Sequence, residues 1–308
     1  MKRVQLITER VGEVLRQERQ EQTGRFLNRR LAPRSETEEA PLRLRPALLV
    51  VTLDGGRVQT RQEDPDQKWK EDKVGVVYDA APTPEQPGVE YKGPRPVLRS
   101  LLATMGSWDA FGDALSALAD RRGYAAARQR VCLGDGAQAI RSIRERCFPD
   151  AIFILDWAHA VEHLSQVAQA AFGPGEKANA WLERQKDHLW HGRLKAILSE
   201  IARRAKKAGA PPAKGADNDP RRVLANNLHY FETNRAAMNY PAFRRNGWPI
   251  GSAVIESTIK QIGKRVKGTE KHWSVSGVEQ TLQVVAKLIS DDGSWEDFWK
   301  RCPLAPAA

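Results

Sequence analysis

Residues 131–157 read VCLGDGAQAIRSIRERCFPDAIFILDW, and this stretch decides the fold. A short apolar run stops at Gly134-Asp135-Gly136, and a segment with Ile140 and Ile143 at helical spacing follows. A second apolar run, AIFILDW, then closes the stretch. Periodicity and glycine punctuation together predict strand, helix and strand. AHAVEHLSQVAQAAF continues as a helix, giving two strand–helix units in succession.

Upstream, PALLVVTLDGG opens at Pro46 and reads as a strand ended by a turn at Gly55-Gly56. GRVQTR and DKVGVVYD supply a second and a third strand, in the manner of an antiparallel meander. Pro82, Pro84, Pro87, Pro94 and Pro96 crowd the next stretch, too many for a ladder, so it reads as a surface excursion. SWDAFGDALSALADRRG has Ser107 at the N-cap and Gly123 at its end, the punctuation of a helix. The predicted class is α/β: a mixed sheet of three antiparallel strands plus two strand–helix units, flanked by helices.

Downstream, residues 173–248 show no convincing strand. Helical patterns there are broken by the linker PPAKGADNDPRR. The expected organisation is an amphipathic helical segment over 1–44, a first core part over 45–165, a helical insertion over 166–247, and final helices and tail over 248–308. Val4, Ile7, Val11, Val14 and Leu15 give the first of these its apolar stripe.

Lys and Arg number 49 against 38 Asp and Glu, a formal charge of +11. Such an excess favours polyanionic partners, nucleic acid first. No window approaches eighteen apolar residues, and the charged first twenty residues have no apolar core of a signal peptide. Cys132, Cys147 and Cys302 are an odd count without a C-x-x-C pair, which excludes a disulfide scaffold and a cysteine-rich zinc site. A cytoplasmic, nucleoid-associated protein is expected.

Three acidic residues matter for their places. Asp54 and Asp135 each end a predicted strand beside glycine, where side chains project into the crevice above an α/β sheet. Taken singly, an Asp before Gly is commonly a turn residue. If the two strands are neighbours, however, their carboxylates repel unless a cation neutralises them, and oxygen-seeking Mg2+ or Mn2+ suits that task. Glu256 opens a helix that also carries Lys260, Lys264, Arg265 and Lys267, with Lys271 and Trp273 just beyond. Such a stripe beside a carboxylate suits contact with a phosphate backbone, although basic stripes are commonly solvated faces.

VTLDGGRVQTR (51–61), WKEDKVGVVYDA (69–80), residues 131–164 and YPAFRRNGWPIGSAVIESTIKQIGKRVKGTEKHW (240–273) together resemble the ISKra-type insertion-sequence transposases, relatives of the Mutator-like DDE transposases. The resemblance covers roughly residues 46–300. It implies an RNase H-like core with a helical insertion before the last acidic residue. It also implies that Asp54, Asp135 and Glu256 are the catalytic, metal-binding carboxylates, using two Mg2+ or Mn2+ ions for DNA cleavage and joining. Asp156-Trp157-Ala158-His159 is similar to the Mutator-type (C/D)-x-x-H signature, which gives Asp156 and His159 supporting roles. Double-stranded DNA, as transposon ends and target, is the implied partner of a homodimer. Much of the family's amino-terminal DNA-recognition region is expected to be missing.

Two other readings stand beside this one. A transposase-derived DNA-binding protein without catalysis would keep the charge and the fold. His159-Ala160-Val161-Glu162-His163 also fits H-x-x-E-H, the inverted zincin pattern, with Glu162 as general base.

The charge generates a first prediction. Binding to duplex DNA should show little sequence preference and should weaken at least about 10-fold between 50 and 200 mM salt, as counterion release demands. Fluorescence anisotropy on two unrelated duplexes checks it; a flat salt dependence or strong selectivity for one duplex contradicts it.

Overall fold

The computed structural model describes residues 2–31, 45–61, 68–214, 216–268 and 273–302. A five-stranded mixed sheet, in the order β3-β2-β1-β4-β5, lies at the centre. Its strands are β1 (Leu48–Gln59), β2 (Trp69–Ala80), β3 (Pro96–Thr104), β4 (Gln129–Gly134) and β5 (Ile152–Leu155). β2 runs antiparallel to β1 and to β3, whereas β4 is parallel to both β1 and β5. This order and these directions are consistent with an RNase H-like fold.

The central strands are apolar on both faces because helices cover both. Leu48, Val50, Val58, Val74, Val76, Leu133 and Ile154 belong to one core. Leu49, Val51, Leu53 and Val77 face another, which they share with Phe111, Leu115, Ile140 and Phe148. That second layer holds α2 (Trp108–Arg121) and α3 (Gln138–Cys147). Ser107 caps α2 as its position predicts, accepting a hydrogen bond from the Ala110 amide.

Two strand assignments differ from the sequence reading. β1 does not turn at Gly55-Gly56 but runs through both glycines to Gln59, so GRVQTR is the far half of the first strand. Gly56 pairs with Asp72 on β2, and a Cβ there would stand 2.6 Å from Asp72 Oδ1. The glycine serves close packing across the ladder rather than a turn. The third strand is instead β3, which begins within the proline-rich stretch. Pro96 is its first residue, paired with Ala80, on an edge strand where a missing N–H is tolerated.

The opposite layer begins with α4 (Trp157–Phe172) and continues through α5 (Glu176–Trp190), α6 (Leu194–Ala208), α7 (Pro220–Thr233) and α8 (Tyr240–Arg245). Fully buried Trp181 anchors these helices, and the Arg204 guanidinium lies 4.0 Å from the Phe172 ring centroid. Arg244 ties them to the proline-rich excursion. It donates to Glu85 at 2.7 Å and covers the Trp190 ring at 3.7 Å. The chain then enters α9 (Ala253–Val266), α10 (Val275–Ile289) and α11 (Ser294–Arg301). No described helix is long and apolar enough to cross a membrane.

α1 (Lys2–Leu31) packs on α10 and α2. Val11 and Leu15 are buried with Phe298 and Cys302, while Val4 and Ile7 stay exposed, so the expected stripe is used over only part of its length. All three cysteines are free and buried. Gly12 sets how closely α1 approaches, because a Cβ there would lie 2.2 Å from the Gln280 carbonyl oxygen. Gly12→Leu should therefore lift α1 from α10 at a cost of about 1–3 kcal/mol, the range for overpacking. Thermal melts and limited proteolysis check this, with α1 expected to be cut first; an unchanged melt and digest would contradict it.

Candidate active site at the strand ends

Strand register brings the acidic residues together. β1 pairs with β4 as far as Thr52 with Leu133, and β4 pairs with β5 at Leu133 with Ile154 and Gly134 with Leu155. One or two residues further on, the three chains carry Asp54, Asp135 and Asp156 abreast. Strand alternation sends all three toward the face that carries Leu133 and Ile154.

Each carboxylate is held by nearby backbone amides. Gly55 N–H donates to Asp54 Oδ1 at 2.7 Å, and Ala137 N–H donates to Asp135 Oδ1 at 2.8 Å. Asp156 has no solvent exposure and caps α4 through the Ala158 amide at 3.2 Å. Burial pushes the Asp54 carboxyl up from 3.8 to about 6; the Gly55 amide opposes this, the charges of Asp135 and Asp156 add to it, and His159 offsets part. A half-buried carboxyl crowded by two others is the electrostatic signature of this site.

Glu256 arrives from the other layer, in the first turn of α9. Its Oε1 accepts from Ser252 Oγ at 2.6 Å, and its Oε2 lies 3.8 Å from Lys260 Nζ. Ser252 also reaches Asp156, with Oγ 2.7 Å from Oδ2 and N–H donating to Oδ1 at 3.1 Å. Glu256 is thus joined to Asp156 through a serine. His159 stands 3.8 Å from Asp156 Oδ2 and 3.5 Å from Glu162 Oε2.

The donors are all carboxylate oxygens, which suit a hard divalent cation rather than a soft one. Among the described residues, no three His, Cys, Asp or Glu side chains lie close enough to hold a metal ion as they stand. The same holds for the H-x-x-E-H pattern. There His163 Nδ1 lies 2.7 Å from Asn227 Oδ1, and the ring stacks on Tyr230 with centroids 3.5 Å apart.

On α9, Lys260, Lys264 and Arg265 are exposed; Lys267, expected on the same helix, lies just past its end as the extended C-cap and is half-buried. Lys271 lies outside the described residues. Two features of the site escape sequence reasoning. Ser252 had a faint signal, a serine four residues before a first-turn glutamate. Tyr230 had none: from α7 its hydroxyl donates to the Asp135 carbonyl at 2.7 Å, across 95 residues of chain.

No family model matches the chain, and no curated protein does. Among solved structures, the Drosophila P element transposase strand transfer complex is matched with a TM-score of 0.34 and 10% sequence identity, over 81% of this chain and 79% of that one.

The raised Asp54 carboxyl gives a pH prediction. The folded chain keeps this proton up to about pH 6, whereas an ordinary Asp loses it near 3.8, so stability falls as pH rises through that interval. Asp54→Asn should therefore melt about 2–4 °C above the wild type at pH 7.5 without divalent cations, the scale of roughly 1 kcal/mol in a chain this long. The gain should vanish below pH 4. Calorimetry at both pH values checks this; a variant less stable at pH 7.5 would contradict it.

Proposed function

We propose that the chain is the catalytic core of a DDE-type DNA transposase of the ISKra-related kind, cleaving and joining DNA strands by divalent-cation-dependent phosphoryl transfer. The observation that carries this reading is the row of Asp54 and Asp135 on neighbouring parallel strands, with Glu256 approaching the same face at the start of α9. Mg2+ or Mn2+ held by Asp54, Asp135 and Glu256 would neutralise charge that develops on phosphate oxygens during in-line displacement.

The remaining work falls to side chains of the protein. Lys260, Lys264 and Arg265 follow Glu256 along an exposed helical face, where they meet the phosphate backbone and set the strand against the acids. His159, partly exposed at the edge of the acidic row, donates from its ring to a non-bridging phosphate oxygen. Half-burial of Asp54 keeps bulk water from its carboxylate and preserves the strength of its interactions. The duplex partner, the cytoplasmic site and a dimer on paired ends belong to the same proposal.

Paired substitutions test it. Glu256→Gln removes one charge while nearly keeping shape. DNA cleavage or joining in Mg2+ or Mn2+ should fall at least about 10²-fold, the scale of losing one strong electrostatic stabiliser. Duplex binding should persist. Glu162→Gln, on an exposed side chain beside His159, should change little. Full activity in the Glu256 variant with loss in the Glu162 variant would overturn the assignment. A wild type that binds duplex DNA but never cuts it would favour the non-catalytic DNA-binding reading.

A further inference from the structure

We infer that Asp156 and Ser252 form a positioning relay that orients Glu256 toward the strand-end acids, an inference that rests on the active-site reading above.

The relay has a fixed end, a bridge and a free end. Asp156 is fixed: its side chain has no exposure, and its Oδ1 accepts two backbone amides, Ala158 at 3.2 Å and Ser252 at 3.1 Å. Those two bonds come from different elements, the first turn of α4 and the residue before α9. One carboxylate therefore sets where both helices begin. The bridge is Ser252, 6% exposed, with its hydroxyl 2.7 Å from Asp156 Oδ2 and 2.6 Å from Glu256 Oε1. Its single proton lies between two acceptors and serves either one at a time. The free end is Glu256, whose side chain keeps 44% exposure.

Chemistry follows from which oxygen is engaged. Ser252 takes Oε1, so Oε2 is the oxygen left for other partners, with Lys260 3.8 Å away. A glutamate on a free rotamer would sample several directions from the helix surface. One pinned by a buried hydroxyl presents the same oxygen each time. The arrangement also gives the fully buried Asp156 a task other than ligation. Both its oxygens are engaged by α4 and Ser252, and it acts on the site through Glu256. His159, three residues on, then occupies the exposed side of the same α4 turn.

The test reads Glu256 without cations and then with them, on the full chain. Carbodiimide–glycine ethyl ester labelling, resolved peptide by peptide, reports how free the Glu256 carboxylate is. Calorimetric titration with Mn2+ reports cation affinity. Ser252→Ala should raise Glu256 labelling at least about threefold and weaken Mn2+ binding about 10-fold, the lower end for losing a hydrogen bond that orients a ligand. Ser252→Thr keeps the hydroxyl and should behave as the wild type. Asp156→Asn should also stay near the wild type, since an amide there donates to Ser252 Oγ and leaves its proton for Glu256. Asp156→Ala should resemble Ser252→Ala; if it fails to fold, the serine pair still decides.

Unchanged Glu256 labelling in Ser252→Ala would overturn the relay. So would equal losses in Ser252→Ala and Ser252→Thr, which would point to packing. Asp54→Asn separates the two levels: it should abolish Mn2+ binding without altering Glu256 labelling. If it binds Mn2+ as the wild type does, the cation site is wrong, while the labelling result still judges the relay.

Discussion

Negative charge gathered on one partly buried sheet face is the constraint on which the rest of the structure depends. Asp54, Asp135 and Asp156 stand abreast because β1, β4 and β5 run parallel in register, and β4 and β5 end level with the middle of β1. Nothing in that register relieves their repulsion, and Asp54, raised to about 6 chiefly by burial, is pushed further in the same direction by the charges of Asp135 and Asp156. Relief comes partly from helix starts. α3 begins three residues after Asp135, α4 directly after Asp156, and Glu256 occupies the first turn of α9. Each helix turns its unsatisfied amides and positive dipole end toward the acids, a favourable placement for anions. The fold tolerates the cluster, and the residual crowding leaves it suited to cations.

The helical layer holds this arrangement from a distance. Tyr230 donates to the Asp135 carbonyl at 2.7 Å and Tyr240 to the Leu155 carbonyl at 3.0 Å, so helices inserted late in the chain fasten the ends of β4 and β5. The Ile250 carbonyl accepts from the Trp157 amide at 2.8 Å, just before the chain enters α9. Buried hydrogen bonds of this kind tolerate little displacement, because a broken one strands a polar group in a dry interior. The acids, the segment 220–250 and the start of α9 are consequently one mechanical unit. α1 lies elsewhere, tied to α10 by Arg19, which donates to Glu279 at 3.1 Å and to Gln283 at 2.8 Å.

Much of this was legible in the residues. Strand, helix and strand over 131–157 could be read because glycines and apolar runs fall where chain direction changes. Ser107 announced its helix by capping chemistry. Gly55-Gly56 misled, since a glycine pair serves a turn or a close cross-strand approach equally well. Only Asp72 on the neighbouring strand decides between them. β3 was hidden by prolines that an edge strand accepts at its first position. The acidic row was half visible: Asp54, Asp135 and Asp156 each follow an apolar run, but parallel register is a long-range property. Ser252 and Tyr230 gain their meaning only from partners 96 and 95 residues away.

The central claim is that this acidic face is a divalent-cation site, and locating the ion is the most direct measurement. Crystals of the full chain soaked in Mn2+ and measured at its absorption edge should show an anomalous peak within about 2.0–2.6 Å of carboxylate oxygens from both Asp54 and Asp135, the range of hard-cation bonds to oxygen. Glu256 should contribute an oxygen to the same site. A peak confined to other carboxylates, or none on this face at saturating Mn2+, would contradict the account.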